Sequence, residues 1–139
     1  MTTGESTTYE FEHSTEGPAS VETVWALWSD VSRWTEWDEG LASVTLEGPF
    51  VEGSSGTMEV KGQGLISFTL TSVEDGVGFV DETSVPGALL RFSHRVEALD
   101  NGVRVTHSVV IEGPAAQFLG PLVTADLPDA VEALVKLAS

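Results

Sequence analysis

Cysteine is absent from the chain. That excludes disulfides, thiol nucleophiles and Cys-based zinc or iron–sulfur sites. Positive charge is scarce: 6 basic residues stand against 22 acidic ones, for a net charge of −16. Lysine occurs only at Lys61 and Lys136. Such a chain repels nucleic acid and anionic membrane surfaces, so neither is expected as a partner. No apolar run approaches the length of a membrane span, so no membrane insertion is expected. The opening MTTGESTTYEFEH has neither a basic nor an apolar leader region, which makes a cytoplasmic location the default expectation. There is no GxSxG elbow, HExxH, GxGxxG or phosphate-loop pattern. No cofactor is expected.

What is present is a strong alternation of apolar and polar residues. Residues 1–7 are polar and read as a flexible N-terminus, and 8–139 as one domain. Thr8 to Ser14 places Tyr9, Phe11 and His13 on one face, as in a half-buried strand. From Ala19 to Asp30, Val21, Val24, Trp25 and Trp28 fall at helical spacing, with Pro18 or Ser20 at the start. Trp34 and Trp37 suit a short second helix. Six strands divided by Gly-containing turns follow: Leu41–Glu47, Gly56–Lys61, Leu65–Val73, Val77–Val85 and the two arms of a hairpin at Ala88–Ile111. Ala115 to Ala138 is helical in composition, and Gly120-Pro121 and Pro128 should kink or split it. The class is α+β: an antiparallel sheet covered by a C-terminal helix, with two short helices after the first strand.

The hairpin is the informative stretch. Asn101-Gly102 predicts a two-residue type I′ turn. That register sets His94 opposite Val109 and His107 opposite Val96, with both histidines on an otherwise apolar face. A symmetric turn at Pro86-Gly87 would set Phe79 opposite His94 and Asp81 opposite Phe92, turning Asp81 inward. A one-residue bulge there would turn it outward.

Several segments resemble a known family: VWALWSDVSRWTEWD at 24–38, GPFVEGSSGT at 48–57, FVDETSVPGALLRFSHRVE at 79–97, GVRVTHSVVIEGP at 102–114 and DLPDAVEALVKLA at 126–138. Together they are similar to the START-like (helix-grip, SRPBCC) superfamily, in its bacterial polyketide cyclase/dehydrase-like branch. Thr35 departs from the proline frequent there, and Thr124-Ala125-Asp126 departs from a segment that is often basic. The resemblance implies a seven-stranded curved antiparallel sheet wrapped around a long C-terminal helix, with the first strand beside the last. It also implies an internal cavity for a small hydrophobic or aromatic ligand, leaves a homodimer open, and raises cyclase or dehydrase activity as the alternative.

Within that frame, Asp81, His94 and His107 are the candidates for acid–base chemistry. Candidate ligand-binding residues are His13, Trp28, Trp34, Trp37, Phe68, Phe79, Phe92, Val109, Phe118 and Leu122. The histidines and Asp81 have ligand types that suit zinc, but their spacing is no recognised motif, and no metal is expected. Three readings stay open: hydrogen-bonded wall residues, a polar track in a ligand pocket, or a protein–protein module with a vestigial pocket.

Overall fold

The computed structural model describes residues 7–139; the expectation of a flexible N-terminus falls mostly on residues 1–6, outside them. Thr7 is already tied to the sheet, its carbonyl accepting the Gly113 N–H at 2.8 Å. In chain order the elements are β1 (Thr8–Gly17), α1 (Val21–Ser29), a 3-10 helix (Val31–Glu36), β2 (Leu41–Glu47), β3 (Ser55–Val60), β4 (Gly64–Glu74), β5 (Gly78–Val85), β6 (Ala88–Leu99), β7 (Gly102–Glu112), α2 (Ala116–Thr124) and α3 (Leu127–Ala138). The seven strands form one sheet in the order β1-β7-β6-β5-β4-β3-β2, every pairing antiparallel. The first strand therefore lies beside the last, as expected.

Local chemistry explains the boundaries. Ser20 caps α1, its hydroxyl accepting the Thr23 N–H at 3.1 Å while the Thr23 hydroxyl answers the Ser20 N–H. Asp30 then caps the 3-10 helix through the Ser32 N–H. The C-terminal segment is split, but at Ala125-Asp126 rather than at Gly120-Pro121: Pro121 is carried inside α2 and Pro128 sits in the first turn of α3. A first-turn proline forfeits no helical hydrogen bond, which makes it a natural restart.

The Pro86-Gly87 turn is symmetric. Gly87 takes φ +84°, Val85 pairs with Ala88, and Asp81 pairs with Phe92 on the inner face. The other hairpin corrects the sequence reading. Leu99 pairs with Gly102, so the turn residues are Asp100-Asn101, and His94 faces His107 instead of Val109. A type I′ turn needs positive φ at both central positions. No described residue other than glycine has one. Gly102 is instead the first residue of β7, pressed against the Gly17 carbonyl where a Cβ would not fit. Interstrand crowding, together with a φ of +156°, places this glycine.

The inner face carries two apolar clusters. The larger joins Val24, Leu27, Trp28, Trp34, Trp37, Phe68, Leu70 and Phe79 to Val131, Leu134 and Val135 of α3. The smaller joins Ala88, Leu90, Val109 and Ile111 to Ala116 of α2. Leu127 packs against both. Fully burying one large apolar side chain contributes about 1.5–3 kcal/mol, so the first cluster carries most of the fold.

Candidate functional site

Strand registers put all three histidines of the chain in one row across the inner face: Phe79 on β5, His94 on β6, His107 on β7 and His13 on β1. The next row holds Asp81, Phe92, Val109 and Phe11. The polar groups thus form a seam between the two apolar clusters.

The seam is graded from surface to interior. His13 is 28% exposed, and its Nε2 lies 3.3 Å from Glu132 Oε2 on α3. His107 is 4% exposed and Asp81 3%. The His94 and His107 rings meet edge-on with centroids 4.6 Å apart. Phe79 lies flat on His94 at 3.9 Å. His94 Nδ1 is 3.3 Å from the Phe79 carbonyl and 3.9 Å from Asp81 Oδ2.

Burial sets the charge states. Desolvation pushes the Asp81 carboxyl up to about 8, with a smaller contribution from Glu82. It lowers His94 to about 3, against the partial compensation of the Phe79 carbonyl. His107 is lowered as well, by desolvation and then by its histidine neighbours. At neutral pH the seam therefore offers one carboxylic acid and two uncharged imidazoles.

The tryptophans close over it. Trp28 packs on both buried histidines, with centroids 5.9 Å from His94 and 5.8 Å from His107. Trp37 meets His107 edge-on at 5.7 Å. Trp34 stacks on Phe79 and donates its indole N–H to the Trp28 carbonyl at 2.8 Å. Trp34 and Trp37, both candidate ligand-binding residues, are 3% and 4% exposed inside the larger cluster. Trp28, Phe68 and Phe79 are buried with them, Val109 is buried in the smaller cluster, and Phe92 is half-buried.

Phe118 and Leu122 do not line the interior. They are 72% and 64% exposed, because α2 lays its small residues Ala116, Gly120 and Thr124 against the sheet and turns these two outward.

Phe50, in the loop between β2 and β3, was invisible to periodicity. It reaches Phe79 at 5.1 Å and lines an open cleft of about 420 Å³ with Trp25, Ser29, Val51, Glu52, Val73 and Asp75. Phe50 and Phe79 thereby connect the cleft to His94. Asp38 is a second residue that pattern reading missed. Its carboxyl is raised chiefly by burial, and Asp126 at the α2–α3 junction adds to the shift. Among the described residues, no cluster of three or more His, Asp or Glu side chains has the geometry to hold a metal ion. Among the described residues, no helix is long and apolar enough to cross a membrane.

A seven-stranded antiparallel sheet closing on a C-terminal helical segment, with two short helices after the first strand, is the helix-grip fold. The chain belongs to the polyketide cyclase/dehydrase and lipid transport family, whose model matches residues 8–139. Members of this family bind hydrophobic ligands or act as cyclases. No curated protein sequence matches the chain.

Among solved structures, the chain resembles the di-domain ARO/CYC StfQ from the steffimycin biosynthetic pathway (TM-score 0.79, 11% identity, 94% of this chain covered) and spans 50% of that protein. It also resembles Ara h 8.0201 (TM-score 0.75, 14% identity, 94% and 97% of the two chains). A third likeness is to norcoclaurine synthase from Thalictrum flavum (TM-score 0.72, 15% identity, 94% and 86%). At these identities the likeness concerns the fold alone.

Proposed function

We propose that residues 8–139 act as one ligand-binding domain that takes a small hydrophobic or aromatic molecule between the sheet and the C-terminal helices. The ligand seats at the seam, with Trp28, Trp37, Phe79, Phe92 and Val109 as its wall and Asp81, His94 and His107 as its polar contacts. The supporting observation is the seam itself: uncharged polar side chains on two adjoining rows between two apolar clusters, the usual composition of a small-molecule site. Entry runs through the cleft at Trp25 and Phe50, where Phe50 packs on Phe79 and Phe79 in turn on His94. The cyclase StfQ, and a norcoclaurine synthase solved with dopamine and hydroxybenzaldehyde, direct the choice of aromatic and polyketide-like probes.

Catalysis by cyclase or dehydrase chemistry is the second reading. One observation favours it: Asp81 is held near neutrality, 3.9 Å from an uncharged imidazole. Burial then reverses the obvious roles. Asp81 is the acid that can donate a proton, and His94 is the base that can accept one.

A thermal-shift screen against small aromatic molecules tests the first reading; no stabilisation by any of them refutes it. Asp81→Asn and His94→Ala separate the two. An enzyme loses turnover and keeps affinity, whereas a binding protein changes affinity alone.

A further inference from the structure

We propose that Trp28, Trp37 and His107 form the seat of a hydroxyl group carried on a flat ring, so that the ligand is a phenol or an enol. This names the ligand class for the seam site proposed above and rests on that reading.

Among the described residues, three buried side-chain polar atoms have no hydrogen-bond partner: Trp28 Nε1, Trp37 Nε1 and His107 Nε2. The Trp28 and Trp37 rings each pack against the His107 ring, with centroids 5.8 and 5.7 Å away. The indole of Trp34 packs in the same cluster and is satisfied by a carbonyl, so the environment does not forbid pairing. A buried polar atom without a partner is costly, and folded interiors rarely keep one. Two unpaired indole N–H groups on rings that both touch an imidazole with an unpaired nitrogen point to a polar group that sits there in the working protein.

Their chemistry limits what that group is. Each indole N–H only donates. His107 is uncharged, so one ring nitrogen donates and the other accepts. In the tautomer that leaves Nε2 free, the set is two donors and one acceptor. A hydroxyl matches it: the oxygen accepts from Trp28 and Trp37, and its proton goes to His107. A carbonyl answers only the donors, and an ammonium finds no partner for two of the three. A carboxylate would bring a negative charge beside a seam that already keeps Asp81 protonated.

One water molecule has the hydroxyl's pattern, so a ligand hydroxyl can replace it without losing bonds. A flat ring suits surroundings that are themselves ring on ring. Trp34, Phe79 and His94 already form a run of near-parallel rings, with centroids 5.7 and 3.9 Å apart.

The test pairs naphthol with naphthalene, identical except for the hydroxyl. Indole N–H signals are assigned by Trp→Phe substitution, and each compound is titrated into the folded chain by NMR. Naphthol is expected to bind about tenfold more tightly, a 1.4 kcal/mol difference. It should move the Trp28 and Trp37 indole protons while leaving those of Trp25 and Trp34 nearly still. In Trp37→Phe the advantage of naphthol should shrink to near parity. If that variant does not fold, the wild-type indole signals decide.

Equal affinities overturn the hydroxyl seat and leave the seam-site reading standing. Unmoved Trp28 and Trp37 signals, with water keeping the seat, do the same. Movement at Trp25 alone also overturns it, since the ligand is then in the outer cleft. If neither compound binds, the seam-site reading itself fails for such rings, and the seat fails with it.

Discussion

The two apolar clusters share one sheet face but are built differently. Nearly all the large side chains that are fully buried, from Trp28, Phe68 and Phe79 to Leu134, belong to the cluster under α1 and α3; only Val109 and Ile111 belong to the one under α2. The rings of the second cluster, Tyr9, Phe11 and Phe92, are only partly buried. Helix α1 has a reciprocal side-chain cap, whereas α2 begins at Ala115 with none and carries Pro121 inside it. One side is packed with fully buried large side chains, and the other is lined by rings that are only partly buried. A ligand site at their border gains fixed geometry from the first and room to adapt from the second.

The largest effect should come from truncating the first cluster. Trp28→Ala removes a ring that touches Trp25, Phe79, His94 and His107, and should cost about 3–5 kcal/mol in urea unfolding. Phe92→Ala, in the half-buried wall, should cost about 1–2 kcal/mol. Equal losses would erase the distinction.

The next effect is pH-dependent and belongs to the border. Above its ordinary value of 3.8 and up to about 8, Asp81 keeps a proton that the unfolded chain has lost, so stability falls as pH rises. Between about 3 and 6.5 the unfolded chain binds a proton that buried His94 refuses, so stability rises with pH; His107 adds to that slope. The slopes oppose each other below 6.5, and Asp81 acts alone above it. Asp81→Asn should therefore gain on the wild type from pH 6.5 to 8, by up to about 2 kcal/mol, since one proton is worth about 1.4 kcal/mol per pH unit. A constant difference across that window would place Asp81 in contact with water.

Smaller again is the contrast between the helices. Backbone amides of α2 should exchange with deuterium about tenfold faster than those of α3, and equal protection would remove it. The smallest effect lies outside both clusters. Arg104 pairs with Glu16 at 2.8 Å and Glu97 at 3.6 Å on the outer face, and Arg104→Ala should change stability by less than about 1 kcal/mol.

The same contrast governs what could be read in advance. Alternation in FVDETSV and ALLRFSHRVE shows which residues share a face, a local signal; Pro86-Gly87 left Asp81 inward with a symmetric turn or outward with a bulge, and the structure has the symmetric turn. Asn101-Gly102 misled by one pair because the Gly17 carbonyl, distant in sequence, claims that glycine. Phe118 and Leu122 misled because helical spacing shows an apolar face without showing that Ala116, Gly120 and Thr124 lie closer to the sheet. Phe50 sits in a loop with no period to reveal it. The unpaired indoles are invisible in one dimension, since pairing depends on which carbonyl folding brings near.

The central claim is that the border between the clusters is a ligand site. The direct measurement is an amide chemical-shift map during titration with naphthalene, whose ring the wall should accept. The account predicts the largest shifts at Phe79, Asp81, Phe92, His94 and His107, with smaller ones along α2. Shifts confined to the cleft at Trp25 and Val51, or to the exposed Phe118 and Leu122, would contradict it.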